Sequence, residues 1–389
     1  MPLFEVSASP CGNRTKLHGE SAYAYYRDSE RPGMIAVRDL LNAWFEEVST
    51  SEQLDLQKRF QSRIERQHRS ALFELFLHHF LLRCGFQVEF HPDMDGVPTH
   101  PDFLVIRNGA PLFYLEAIAV SDSIEEAGDQ QRIAQVYDAL GKLDNPDFDI
   151  SIRVDGAPET SPSAKKLRYE LEKWLSGLDW QTIHEAYIEE RYEGIPSYRF
   201  SHEGWDVLFE PVPKAEASRG SKGEQPIAMT MPMKAIVLEL DKELKEAVAH
   251  KDRYGNVDIP LVVAAQVIND FQLGKIDVVD GLLGDLPFDL SCEEHPEAHH
   301  SPSGAWFSAR GPKHRNISAV LAWPTIDPWT VTAVEPICVH NPCAIHPLPK
   351  DALPTTQYTV DQERRSLIEQ EGLPMAEILG LAADWMPRD

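Results

Sequence analysis

The sequence predicts an α/β or α+β fold built on a mixed central sheet. Three observations carry that expectation. Short apolar runs with strand character, "FQVEF", "DFLVIR" and "PLFYLEAIAV", cluster between residues 86 and 120. Segments of helical periodicity flank them on both sides. The chain has 389 residues, of which 42% are hydrophobic, enough for a large core.

The elements follow in order. Residues 1–33 read as an irregular lead-in. "IAVRDLLNAWFEEV" (35–48) reads as a helix, with Leu40, Leu41, Trp44 and Phe45 on one face. A longer helix is expected from about Ser51 to Cys84, stopped by Gly85. Its first half, "KRFQSRIERQHR", is charged. Its second half, "ALFELFLHHFLL", is apolar almost all round and is therefore expected to be buried. The two strands "DFLVIR" (102–107) and "PLFYLEAIAV" (111–120) meet at Asn108-Gly109, a pair suited to the positive φ of a tight hairpin turn. A helix at about 124–143, a strand "FDISIRV" (148–154), a helix led by Pro162 and a strand "WDVLFEPVP" (205–213) complete residues 34–213, read as one core.

Residues 214–226 are polar and Gly/Ser-containing, which predicts a flexible segment. An α+β region (227–346) follows. It opens with a helix at about 233–251 and a buried strand "IPLVVAAQVI", and it includes the β-like runs "GAWFSA", "ISAVLAW" and "WTVTAVEPICV". Residues 347–389 read as a Pro-rich and helical tail.

The formal charge of −25 works against non-specific adhesion to nucleic acid or anionic membrane. It does not exclude a local basic groove. No apolar run of about 18 residues indicates a membrane span. Five cysteines, Cys11, Cys84, Cys292, Cys338 and Cys343, without a CxxC pair, predict a reduced, cytoplasmic protein.

Three carboxylates stand out. Glu74 and His78 are four apart and share a face of the apolar helix, either as a surface strip or as the wall of a polar cavity. Glu116 sits inside a strand that is apolar on both faces, which predicts a central, covered strand. A lone buried carboxylate costs several kcal/mol unless it is paired or bound to a cation. Asp102 opens the neighbouring strand and is placed to lie beside Glu116. Two adjacent carboxylates repel unless a cation lies between them.

This order, helix Glu74, then Pro101-Asp102 at a strand start, then Glu116-Ala117-Ile118 in the next strand, resembles the PD-(D/E)xK restriction-endonuclease-like nucleases, over roughly residues 60–155. The block "ELFLHHFLLRCGFQVEFHP…PDFLV…FYLEA" is similar to a branch of that superfamily that lacks the motif lysine. The resemblance implies an α-β-β-β-α-β core and a Mg²⁺- or Mn²⁺-dependent nuclease acting on DNA. It implies metal ligands at Asp102, Glu116 and the Ala117 carbonyl, with Glu74 in support. The position two after Glu116 is Ile118, where the superfamily carries a lysine. Lys142 is the favoured replacement cation, with Arg132, Lys165 and Lys166 as alternatives, and Gln131 or Gln135 as substrate contacts. The other reading is a catalytically inactive nuclease-like fold that binds nucleic acid or protein, possible also as a homodimer.

Weaker signals are the segments "CEEHPEAHH" (292–300) and "HNPCAIHP" (340–347). Their Cys and His residues suit zinc, but no complete site is evident, and the two segments read rather as a polar loop and a Pro-rich turn over the sheet. Basic clusters occur at 58–69, where Arg63, Arg66 and Arg69 have helical spacing, at 165–168 and at 309–315.

Overall fold

The computed structural model describes residues 1–5, 7–93, 100–121, 127–189, 195–221, 226–232, 257–268, 275–284, 304–308, 311–361 and 366–385. The fold is mixed α/β, and the described residues form one eight-stranded sheet, one four-stranded sheet and a two-stranded ribbon of β9 (Phe307–Ser308) and β10 (Gly311–Pro312). The chain divides into two compact units. One comprises Met1–Arg14, Ser21–Asp122 and Leu238–Asp389, and the other Thr15–Glu20 and Ser123–Val237.

In the first unit, α1 (Ala22–Asp28), α2 (Pro32–Glu46), α3 (Thr50–Phe60) and α4 (Glu65–Arg83) lead into three antiparallel strands, β1 (Gln87–Phe90), β2 (Phe103–Arg107) and β3 (Ala110–Ser121). The turn between β2 and β3 has φ of 53° at Asn108 and 77° at Gly109, the two consecutive positive values that an Asn-Gly hairpin supplies without strain. From Ala71 to Leu81 every residue of α4 is buried, as its largely apolar sequence predicts, and Glu74, His78 and His79 are buried with it.

The expected single helix 51–84 is two helices. Ser62 breaks it: its Oγ accepts the Ile64 N–H at 3.1 Å and donates to Gln67 Oε1 at 2.7 Å, satisfying the start of α4 locally. The break lets α3 fold back along α4. It also places Arg63 in the turn rather than on a helix face with Arg66 and Arg69, and Arg69 is paired with Glu65 at 2.8 Å. The expected arginine stripe is therefore not assembled.

The strand beside β3 is not the expected "FDISIRV" run but β8 (Leu261–Ile268), which runs parallel to it. The sheet continues with β11 (Ile317–Trp323), β12 (Ile337–His340), β13 (Thr356–Asp361) and β14 (Ser366–Gln370). Its pairings are both parallel and antiparallel, the mixed sheet the sequence predicts. The segment 347–389 is thus less a tail than two sheet strands followed by a short helix, α9 (Met375–Leu379), whose Met375, Ile378 and Leu379 are buried. Strand β3 has apolar packing on both faces. Phe113 and Leu115 join the core under α4, while Tyr114 and Ile118 pack into a second core with α8 (Lys275–Leu283).

The second unit has its own sheet, ordered β5 (Tyr198–His202), β6 (Trp205–Pro213), β4 (Phe148–Asp155), β7 (Ile227–Pro232). Helices α5 (Ala127–Leu140), α6 (Ala164–Leu175) and α7 (Trp180–Ile188) complete it. Phe148, Ile150 and Ile152 alternate inward against Leu167, Leu171 and Leu175. Because β4 pairs with β6 and β7, the expected continuous core 34–213 is divided after Asp122. Residues 214–221 are held in place despite their polar composition. Lys214 is 8% exposed, and its Nζ donates to the Asn145 carbonyl at 2.8 Å and the Ser221 carbonyl at 3.0 Å. The expected helix 233–251 lies outside the described residues.

Gly156, after β4, has a φ of 72°, and a Cβ there would stand 2.2 Å from the Gly204 carbonyl oxygen. Gly156→Ala combines left-handed strain with a backbone clash. The substitution is expected to destabilise the second unit by about 2 kcal/mol or more, read as a lower urea midpoint. An unchanged midpoint would refute this.

Candidate functional site

The site grows from the β2–β3 hairpin. Phe103 pairs with Leu115, so one step further along the ladder Asp102 stands opposite Glu116. Strand alternation puts Glu116 with Tyr114 and Ile118, on the face away from α4. Asp102 precedes Phe103, which belongs to the α4 face. The Ala117 N–H donates to Asp102 Oδ2 at 2.7 Å, which ties the two strands at this level. Glu116 is 4% exposed. Asp102, Glu116 and Ala117 are therefore brought together as the sequence predicts.

The donor chemistry at this point is all oxygen, two carboxylates on adjacent strands and the carbonyl of Ala117, the set that hard divalent cations take. Among the described residues no group of three or more His, Cys, Asp or Glu side chains is placed to hold a metal ion. Any ion here would rest on two carboxylates, a backbone oxygen and water.

Glu74 is elsewhere. It lies on α4, over the opposite face of the sheet, and its carboxylate is clasped by Arg59. Nη1 donates to Oε1 at 2.6 Å and Nη2 to Oε2 at 2.7 Å, a bidentate fork. The same guanidinium donates Nε to Asp55 at 2.7 Å. Burial opposes the Arg59 charge, but Glu74 and Asp55 outweigh it and raise its proton affinity above the ordinary value. The fork answers the choice left open for Glu74: it is 8% exposed and paired, not a strip on the surface. Sequence reading missed Arg59 because fifteen residues separate it from Glu74, and only the helix break at Ser62 closes that distance.

His78, one turn on, is 4% exposed and its Nδ1 makes no hydrogen bond. Its ring lies 4.9 Å from that of Phe90. Burial, and then the neighbouring His79, push its pKa down to about 4, so the imidazole is neutral. His91 is a residue the sequence did not single out. It follows β1 with a φ of 46°, and its N–H donates to the Asp102 carbonyl at 3.0 Å, fixing the backbone that carries the carboxylate.

Lys142 belongs to the second unit, where it is exposed in the turn after α5. Arg132, Lys165, Lys166, Gln131 and Gln135 belong to the same unit, and Lys166 pairs with Glu170 at 3.8 Å. Ile118, at the motif's lysine position, packs into the core.

The segment at 340–347 acts as a structural turn. His340 Nε2 lies 2.6 Å from Gln357 Oε1, and burial pushes the Cys338 thiol up to about 12. Cys343 is disulfide-bonded, which departs from the expected fully reduced set of cysteines, while Cys11, Cys84 and Cys338 are free thiols. Residues 292–300 lie outside the described residues. No helix among the described residues is long and apolar enough to cross a membrane. No protein-family model, curated protein or solved structure matches the chain.

Proposed function

We propose that the first unit is a metal-dependent phosphodiesterase of the restriction-endonuclease-like type acting on DNA, with Asp102, Glu116 and the Ala117 carbonyl as ligands of Mg²⁺ or Mn²⁺. The observation that carries this reading is the opposition of Asp102 and Glu116 across the β2–β3 ladder, locked by the Ala117 N–H. The parallel partner that β3 finds in β8 supports it, because it completes a sheet in which three antiparallel strands are followed by a parallel one. A cation held there would neutralise charge on a scissile phosphate and lower the pKa of bound water. The chain's own contribution is to hold two carboxylates and a backbone carbonyl together on adjacent strands, tied by the bond from the Ala117 N–H to Asp102. Glu74, tied to Arg59, acts as a structural group in this reading, and Lys142 stays a candidate cation by sequence alone.

A second reading, a nuclease-like fold that binds nucleic acid or protein without cleaving, is favoured by one observation: Ile118 fills the lysine position with a packed apolar side chain.

The deciding experiment is calorimetric titration of Mg²⁺ and Mn²⁺ into the wild type, Asp102→Ala and Glu116→Ala, each with and without a phosphorothioate DNA duplex. The expected result is binding to the wild type that falls below detection in both variants, with Mn²⁺-dependent DNA cleavage lost in parallel. Wild-type metal binding without cleavage would favour the second reading. No wild-type binding even with the duplex would overturn the metal site.

A further inference from the structure

The first unit has a concave feature apart from the proposed phosphodiesterase site. A cleft of about 430 Å³ opens at the start of β12 and β13 and the end of β14. Its polar rim is Glu335, Glu369, Glu371 and Lys275, and its floor includes Val334, Pro336 and Met375. The acidic groups outnumber the basic one, and Lys275 is already engaged with Glu335 at 3.1 Å. The cleft lies beside β14, the last strand of the sheet, whose outer edge is paired with no strand among the described residues. Exposed apolar side chains gather on the elements around it. Ile276 is 73% exposed on the first turn of α8, Ile368 42% on β14, and Leu373 50% on the segment after β14.

We propose that this edge and cleft dock an extended basic segment of a partner protein. The segment would add as a strand along β14, with its apolar side chains over Ile368 and Leu373 and a Lys or Arg reaching past Glu369 into the cleft. Backbone pairing to an open edge supplies affinity, and pockets for alternate side chains supply specificity. Charge complementarity selects a basic occupant: the two glutamates at the strand's end, Glu369 and Glu371, are both exposed. Open edges are commonly protected by charged side chains, lysine above all, or by proline, and in "SLIEQ" the one such group is Glu369, which repels acidic strands but not basic ones.

The test uses the full chain and a fluorescent peptide of alternating Lys and Val, with an alternating Glu and Val peptide as its counterpart. The expected result is saturable binding of the basic peptide alone. Glu369→Lys with Glu371→Lys should weaken it about tenfold or more, since reversing charges in an interface also introduces repulsion. A control pair on the second unit, Asp144→Lys with Glu185→Lys, changes the net charge equally and should leave binding unchanged. Ile368→Pro should also weaken binding, because proline on the edge removes a donor and blocks strand addition. Equal loss in the control pair, or no binding to the wild type, would overturn the proposal. So would spermine competing as well as the peptide with Ile368→Pro neutral, which would mark a site for small polycations.

Discussion

Arg59→Met should be among the most destabilising single substitutions in the first unit. It would leave Glu74, 8% exposed and otherwise clasped by two hydrogen bonds, as a buried charge beneath α3. Removing one partner of a buried pair costs about 3–5 kcal/mol, and Arg59's side chain, 28% exposed, places this pair toward the lower end. Glu74→Gln should cost less, because Arg59 keeps Asp55 and some access to water. The double variant Arg59→Met with Glu74→Met should recover most of the loss, since replacing a buried pair by apolar residues of similar size is often neutral or stabilising. Urea unfolding of the wild type, the single variants Arg59→Met and Glu74→Met, and the double variant forms a complete cycle. A single-variant cost below about 1 kcal/mol would show the pair to behave as a surface salt bridge. The same proteins probe function. Because Glu74 lies over the face opposite to Glu116, Glu74→Gln should leave metal binding at Asp102 and Glu116 unaltered.

That geometry shows how far the sequence could be read. The hairpin was legible because its determinants are local: Asn108-Gly109 sets the turn, and strand alternation assigns Glu116 its face. The pairing of Asp102 with Glu116 follows from the same ladder. The burial of α4 was legible from its composition. What escaped depends on contacts between residues far apart in the chain. Nothing near β3 announces that its parallel neighbour is β8, because residues 123–237 intervene as a unit with their own core. The strand "FDISIRV" has the right pattern for the central sheet, but Trp205, Val207 and Phe209 of β6 compete for it and win. Helical periodicity runs through Ser62, so only its side-chain hydrogen bonds reveal the break. Position 214 reads as linker by composition, yet Lys214 finds two carbonyls and is buried. Polarity predicts exposure only when no partner is at hand.

Acid should weaken the first unit through His78. The imidazole is 4% exposed against Phe90, and its proton affinity is depressed from about 6.5 to about 4. Above pH 6.5 the ring is neutral in both folded and unfolded chains and contributes no pH dependence. Between pH 6.5 and 4 the unfolded chain takes up a proton that the folded chain refuses, so stability is lost as the pH falls through that window. Below 4 both forms are protonated and the loss is complete. A shift of this size corresponds to about 3 kcal/mol at 1.36 kcal/mol per pH unit. His79 adds to the effect in the same direction, because its burial outweighs its bond to Glu47. His78→Phe keeps a ring against Phe90, removes a buried nitrogen without a partner and cannot titrate. Carboxylates elsewhere titrate equally in both proteins, so the difference between the two stability curves isolates His78. Urea midpoints measured from pH 7 down to 4.5 should fall more steeply for the wild type than for His78→Phe. Parallel curves would mean that the His78 ring reaches water before the unit unfolds, and that α4 opens at this turn as a local event rather than with the core.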